Sequence, residues 1–318
     1  MSRPDPGSRA AELRTALLRA GRARHEDFQV TLAHFAVERL LHRLSGTRHA
    51  ESFVLKGAML LGVWTTAPHR ATRDVDLLGF GSPAPEALAE VFREIARADG
   101  EEDAVEFDPL SVRAEEIRED SRYDGVRVRL EARFGSARIP VQVDIGFGDA
   151  VTPSAEWIDY PSLIGLPTAR IRAYTRESVI SEKLEAMISL GLLNSRMKDF
   201  YDVWVLARDF EFDGVTLSRA IHATFERRGT PLPGEIPAAL GESFHAAPDK
   251  LQLWARFLER AAASEPQLSL ATAVSGVRDF AWPVLVALRE GRPAPAYWPA
   301  GGPWIAVGRE PRQEVLGE

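Results

Sequence analysis

The chain has 318 residues, a formal net charge of −7 and no cysteine. This length suits about two domains, and the absence of thiols excludes a disulfide framework, thiolate zinc sites and cysteine nucleophiles. No signal-peptide core or membrane-spanning run is evident, so we expect a cytoplasmic protein without a membrane partner. The net charge argues against a generally basic nucleic-acid binder, although residues 1–50 carry nine arginines and five acids.

Apolar periodicity predicts helices and two or three short strands in the first half of the chain. Residues 99–120 are acidic and are predicted to be surface-like. The predicted helices cover 9–24, a second segment through Val37–Leu44, a turn and helix after Gly57, and 82–98. The predicted strands cover 73–78, 126–130 and 139–145. This pattern indicates a small mixed α/β unit.

The second half of the chain is predicted to be helical. Apolar stripes at helical spacing begin near Ile180 and continue to about Leu288, and residues 290–313 read as an extended Pro/Gly-rich tail over the surface. We therefore expect an α/β domain with N-terminal helices over residues 1–165 and a helical domain over residues 166–318.

The sharpest motif is Asp74-Val75-Asp76. Strand alternation would place both carboxylates on one face, with Val75 on the other. Two adjacent acids repel each other unless a cation lies between them, and their oxygens suit Mg²⁺. The alternative interpretation of such a pair is a solvated strand edge.

Asp144 lies in the apolar strand Val141–Ile145 and needs a partner there. With Asp74 and Asp76 on a neighbouring strand, it would complete a two-metal cluster. The alternative is an ion pair with Arg127 or Arg129.

Further residues suit phosphate binding. In Lys56-Gly57-Ala58, the glycine at a helix start would let backbone N–H groups approach an anion; the alternative is an ordinary turn glycine. Arg70 and Thr72 precede Asp74 and would support a triphosphate or the metal shell.

In the second half, Lys183 lies beside an apolar stripe. Lys198, Asp199 and Asp202 share a helical face at i, i+3 and i+4 spacing. The alternative for this group is a surface salt bridge worth under ~1 kcal/mol.

Taken in order, these segments resemble the AbiEii/MenT-like nucleotidyltransferase toxins. The segments are Leu55–Ala58, Arg70–Leu77, Val143-Asp144, Glu182–Leu184 and Arg196–Asp202. The combination of R-x-T-x-D-x-D with a downstream K-D-x-x-D carries the resemblance, which spans roughly residues 25–290. One departure is Ala58, where the family usually has glycine or serine, so a hydroxyl that would touch a phosphate is absent.

The resemblance implies an α/β (α+β) fold, with a polymerase-β-like nucleotidyltransferase domain, a small mixed sheet and a C-terminal helical domain. It also implies a toxin of a bacterial toxin–antitoxin or phage-defence system, with an antitoxin partner, that transfers NMP from an NTP to the 3′ end of tRNA. Asp74 and Asp76 would hold Mg²⁺ or Mn²⁺, and Asp144 would complete a second metal site. Lys183 and Lys198 would neutralise the triphosphate, with Asp199 and Asp202 orienting these lysines.

Two alternatives to RNA modification stay open. One is a nucleotidyltransferase of the same fold that modifies a protein or a small molecule, which the acidic net charge favours. The other is a catalytically silent binding module, which the intact Asp74, Asp76 and Asp144 disfavour.

Overall fold

The computed structural model describes residues 6–65, 74–100, 102–119, 123–261 and 263–305. The chain divides into two compact units, here named the sheet unit and the helical unit. The sheet unit contains the residues up to Asp149 with Ala155–Tyr174 and Ala261–Ser264, and the helical unit contains the rest. The sheet unit continues beyond the predicted boundary at residue 165 because Ala169–Ala173 is a strand of its sheet.

The described part of the sheet unit contains one seven-stranded mixed sheet. Its strands are β1 (Phe53–Lys56), β2 (Val75–Gly79), β3 (Val105–Glu119), β4 (Tyr123–Phe134), β5 (Ala137–Phe147), β6 (Glu156–Tyr160) and β7 (Ala169–Ala173). Their spatial order is β3-β4-β5-β2-β1-β7-β6. The pairs β2/β5 and β1/β7 are parallel, and the other neighbouring pairs are antiparallel. The predicted mixed α/β fold is confirmed.

The prediction of a surface-like acidic segment over residues 99–120 is wrong, because most of it forms the edge strand β3. Val105, Phe107 and Val112 are buried, while intervening acids such as Glu106 are exposed. A register shift between Asp108 and Arg113 interrupts the two-residue period. The acidic composition and the irregular alternation together hide this strand in the sequence.

Helices α2 (Phe28–Ser45) and α4 (Pro85–Arg97) cover one face of the sheet. On the opposite face the side chains of β4 and β5 are mainly polar, whereas Val54 on β1 and Leu78 on β2 are buried there. The other described helices of the sheet unit are α1 (Pro6–Ala23) and α3 (Leu61–Trp64). The ring of Phe35 on α2 lies 5.8 Å from that of Phe134, and Phe92 on α4 lies 5.9 Å from Phe53. Successive side chains of a strand point to opposite faces of the sheet. The strand residues next to Phe53 and Phe134 therefore point away from α2 and α4.

The helical unit has six helices and a two-stranded ribbon among its described residues. These are α5 (Arg176–Leu190), α6 (Met197–Asp209), α7 (Gly214–Arg228), α8 (Glu242–His245), α9 (Pro248–Ala261), α10 (Leu270–Arg289), β8 (Phe212–Asp213) and β9 (Tyr297–Trp298). Within the described ranges, α10 is the one helix long and apolar enough to cross a membrane by composition. Its Val277, Phe280 and Val284 are buried, as in the core helix of a folded domain.

The described part of the C-terminal segment, residues 290–305, is exposed or half-buried except at Trp298, and two tryptophans attach it to the helical unit. Trp298 is buried and donates from Nε1 to the carbonyl of Ala207 at 2.7 Å. Trp304 donates in the same way to the carbonyl of Phe280 at 2.7 Å. The two indole rings thus attach this Pro/Gly-rich stretch to the helical unit. The rest of the predicted tail, residues 306–313, lies outside the described residues.

Candidate active site

Strand pairing brings four charged residues into one line across the sheet, which we name the charged row. Lys56 on β1 pairs with Asp76 on β2, and Asp76 pairs with Asp144 on β5. Asp144 in turn pairs with Arg127 on β4. Their strand neighbours, such as Leu55, are buried on the helix-covered face. The charged row therefore lies on the opposite face of the sheet. Its two ends are the positively charged side chains of Lys56 and Arg127.

Asp74 lies directly before the row. The strand begins at Val75, so Asp74 precedes the ladder and is exposed, whereas Asp76 is within it and partly buried. Val75 is fully buried. Val75 and Asp76 thus lie on opposite faces of the sheet, as predicted. Asp74 lies just outside the strand, so strand pairing does not fix its position.

The Gly57 backbone runs directly against the Asp76 carboxylate. Gly57 has φ of +74°, and a Cβ added to it would lie 2.1 Å from Asp76 Oδ2. Both the left-handed backbone and the close approach require glycine. The predicted helix after Gly57 is only the 3₁₀ turn Gly57–Leu60, which includes Ala58, followed by the four-residue α3. Elements this short supply backbone N–H groups but little helix dipole.

Lys56 is held by an acid that the sequence analysis did not single out. Its Nζ lies 2.9 Å from Asp149 Oδ2, and the Asp149 side chain is 3% exposed. Gly146 leaves room for this pair, since a Cβ there would lie 3.3 Å from Lys56 Nζ. The signal in the sequence was an acid just beyond the glycines that end β5.

Asp144 forms a bidentate ion pair with Arg127. Arg127 Nε donates to Oδ1 and Nη2 donates to Oδ2, each at 2.7 Å. The hydrogen bonds with Asp144, followed by its charge and that of Asp74, raise the pKa of Arg127 despite partial burial. Arg129 instead contacts Glu115 and Gln142. Of the two arginines considered for Asp144, the structure pairs it with Arg127.

The carboxylates fit a divalent cation in part. Asp74 and Asp76 have the oxygen chemistry that Mg²⁺ or Mn²⁺ prefers. Both oxygens of Asp144, however, already accept hydrogen bonds from Arg127. Within the described part of the chain, no three acidic or histidine side chains lie close enough together to hold an ion.

A second polar group, the lysine–aspartate cluster, lies inside the helical unit. Lys183 Nζ on α5 contacts Asp199 Oδ1 at 2.6 Å and Asp202 Oδ2 at 2.9 Å on α6. Arg196 Nε, not anticipated from the sequence, contacts Asp199 Oδ2 at 2.7 Å. Burial alone would raise the pKa of Asp199, but the charges of Lys183 and Arg196 outweigh it and hold that pKa below its usual value.

The remaining predicted residues divide into two kinds. Lys198 is exposed, and Asp202, its expected i, i+4 partner, contacts Lys183 instead. Arg70 and Thr72 lie outside the described residues. The structure thus gathers Lys56, Gly57, Asp76 and Asp144 in the sheet unit, and Lys183, Asp199 and Asp202 in the helical unit.

Comparison with known proteins gives one family and several similar structures. The profile of the nucleotidyl transferase AbiEii toxin, of a type IV toxin–antitoxin system, matches residues 39–282. The chain is similar to the solved nucleotidyltransferase toxin MenT4 of Mycobacterium tuberculosis, with 19% identity, 88% of this chain and 99% of that chain covered, and a TM-score of 0.46. It is also similar to JHP933 of Helicobacter pylori, with 15% identity, 83% and 95% coverage, and a TM-score of 0.47. No curated protein sequence matches it.

Proposed function

The chain belongs to the AbiEii family of nucleotidyltransferase toxins, and on this premise we propose that it transfers NMP from an NTP to an RNA acceptor, first of all the 3′ end of tRNA. The observation that carries the proposal is the approach of the Gly57 backbone to the Asp76 carboxylate within the charged row. A glycine backbone leaves its N–H groups accessible to phosphate oxygens, and the neighbouring carboxylates can bind the divalent cation that accompanies a triphosphate.

In the proposed reaction, an acceptor hydroxyl attacks the α-phosphorus of the NTP. The bond from that phosphorus to the bridging oxygen breaks, pyrophosphate leaves, and the hydroxyl proton passes to solvent or to a nearby carboxylate. Asp74 and Asp76 would hold a Mg²⁺ or Mn²⁺ ion, whose positive charge would stabilise the phosphate oxygens. Lys56, fixed by Asp149, adds a positioned ammonium at the end of the charged row.

The lysine–aspartate cluster supplies a second fixed positive group. Because Lys183 contacts two buried carboxylates, its ammonium is held in one place. Phosphoryl transfer depends mainly on positioning and electrostatics, so a fixed ammonium serves it better than a mobile one. We propose that Lys183 contacts the triphosphate and that exposed Lys198 contributes from the start of α6.

The test is incubation with each α-³²P-labelled NTP, Mg²⁺ and total tRNA. Label on tRNA is expected for the natural chain and is expected to fall by more than ~100-fold for Asp76→Asn and Lys183→Met. The matched control is Asp159→Asn, which changes an exposed acid on the edge strand β6. Equal labelling by Asp76→Asn and the control would refute the site assignment.

A protein or small-molecule acceptor is the second candidate, favoured by the net charge of −7, which opposes docking of a polyanion. Label that appears on protein or a small metabolite of a cell extract, and not on tRNA, would select it. NTP binding without any transfer would select the silent module.

The family also suggests a cellular role. We propose that expression of the chain in the bacterial cytoplasm stops growth unless a cognate antitoxin is present, as suits a toxin–antitoxin or phage-defence system. Asp76→Asn should relieve the growth arrest, and the Asp159→Asn control should not.

A further inference from the structure

The Arg127–Asp144 pair occupies the place where the third carboxylate of a two-metal cluster would act. The two residues are cross-strand partners on β4 and β5, so the backbone itself sets their side chains opposite each other. Both guanidinium contacts are 2.7 Å long. Two parallel charge-assisted hydrogen bonds of this length make the strongest form of an ion pair between side chains.

The surroundings reinforce this pairing. Gln142, on the same strand face as Asp144, places Nε2 3.5 Å from Asp144 Oδ2. The side chain of Asp144 is 13% exposed and that of Arg127 is 27% exposed, so the pair is partly shielded from water. A divalent cation that approached Asp144 would meet the guanidinium charge and would have to displace one or both hydrogen bonds.

We propose that Arg127 is a positioning residue that keeps Asp144 out of the cation's coordination shell. In this arrangement the chain takes one divalent cation, on Asp74 and Asp76. The inference rests on the proposed function for its reaction, and it departs from the sequence-based expectation that Asp144 is a metal ligand.

The test counts bound ions directly. The full chain, without nucleotide, is titrated with Mn²⁺ and the free ion is measured by electron paramagnetic resonance. The natural chain is expected to bind one Mn²⁺. Asp76→Asn is expected to weaken binding by more than ~10-fold, and Asp144→Asn by less than ~3-fold, since only the first removes a ligand.

Two further variants separate positioning from a merely structural role. Arg127→Gln frees Asp144, so Mn²⁺ is expected to bind more than ~10-fold tighter or as a second ion. The double variant Arg127→Gln with Asp144→Asn removes both charges together and is expected to bind one Mn²⁺ as the natural chain does. Because this double variant leaves no unpaired charge, it remains informative if a single variant fails to fold.

The outcomes are distinguishable. Loss of Mn²⁺ in Asp144→Asn and in the double variant, matching the loss in Asp76→Asn, would overturn the inference and leave the proposed function standing. Two ions bound by the natural chain would do the same. No binding by the natural chain would overturn the proposed cation site and this inference together, whereas absent transfer with the expected Mn²⁺ pattern would count against the proposed reaction alone.

Discussion

Gly57 is the residue at which backbone geometry and chemistry coincide most closely. Its φ of +74° is one that residues other than glycine rarely adopt. Because Gly57 has no Cβ, the backbone can pass directly beside the Asp76 carboxylate. Alanine would therefore meet both a backbone cost of about 1–3 kcal/mol and a collision with the carboxylate.

We predict that Gly57→Ala abolishes nucleotidyl transfer and lowers thermal stability more than Gly135→Ala. Gly135 also has a positive φ, +57°, but nothing lies within 4 Å of a Cβ added there, so it measures the backbone cost alone. The measurements are labelling assays and thermal unfolding of both variants. Equal losses in the two would show that contact with Asp76 is unimportant.

At the residue scale, the sequence could indicate which side chains carry charge but not how they pair. Asp144 was recognisable as a carboxylate in an apolar strand, and Arg127 and Arg129 were equally good partners by type. The choice of Arg127 depends on the β4/β5 register, a long-range property that alternation within either strand does not fix. Asp149 was missed for the same reason, because its contact with Lys56 joins residues far apart in the chain.

At the scale of elements, α2 is tied to the edge strand β6 by a polar contact within the sheet unit. His34 Nε2 lies 2.9 Å from Tyr160 Oη. Burial, and then the charge of Arg24, lowers the pKa of His34 to about 4 from its ordinary 6.5. Burial raises the pKa of Tyr160, so its hydroxyl keeps its proton and forms a hydrogen bond with a neutral imidazole.

We predict that this contact weakens the fold in mild acid. Because the folded pKa of His34 is depressed, its stability contribution is complete above about pH 6.5 and is lost as the pH falls towards 4, by about 3 kcal/mol at most. Urea unfolding of His34→Gln should show a smaller loss between pH 6.5 and 4.5. The exposed His222→Gln serves as control, and an unchanged pH dependence in His34→Gln would contradict the assignment.

The C-terminal segment gives a second prediction at this scale. The Trp298 ring lies 5.0 Å from Phe280 and 5.4 Å from Trp304, so its removal opens a cavity in the helical unit. Trp298→Ala is expected to cost about 3–5 kcal/mol of unfolding free energy. Trp157→Ala, on a side chain that is 44% exposed, should cost far less, and similar losses in both would show that the segment is not part of the core.

At the scale of the whole molecule, the mixed sheet, the helical second half and the family were all predictable. Strands β4 and β5 alternate cleanly, the helical stripes are long, and the ordered motifs identify the AbiEii/MenT-like family, which the profile match confirms. The edge strand β3 and the two tryptophan contacts that attach the C-terminal segment were not predictable from local pattern. Each depends on partners distant in sequence, and charge or Pro/Gly content masks the apolar positions that make those contacts.

The scarcity of lysine has a practical consequence for chemical labelling. Of the four lysines, Lys56 and Lys183 are ion-paired with nearby acids, and Lys250 is buried over the Phe244 ring. Acylating reagents attack unprotonated, accessible amines. Ion pairing with an acid favours the protonated form, and burial keeps the reagent from reaching the amine. Exposed Lys198 is the exception.

We therefore expect an N-hydroxysuccinimide ester at limiting concentration to modify Lys198 ahead of the other three lysines, as peptide mass spectrometry would show. Lys198→Arg is the matched control, and acylation of Lys183 at a comparable rate would contradict this order. In a chain without cysteine, Lys198 would then serve as a natural attachment point for a fluorophore beside the lysine–aspartate cluster, without any engineered residue.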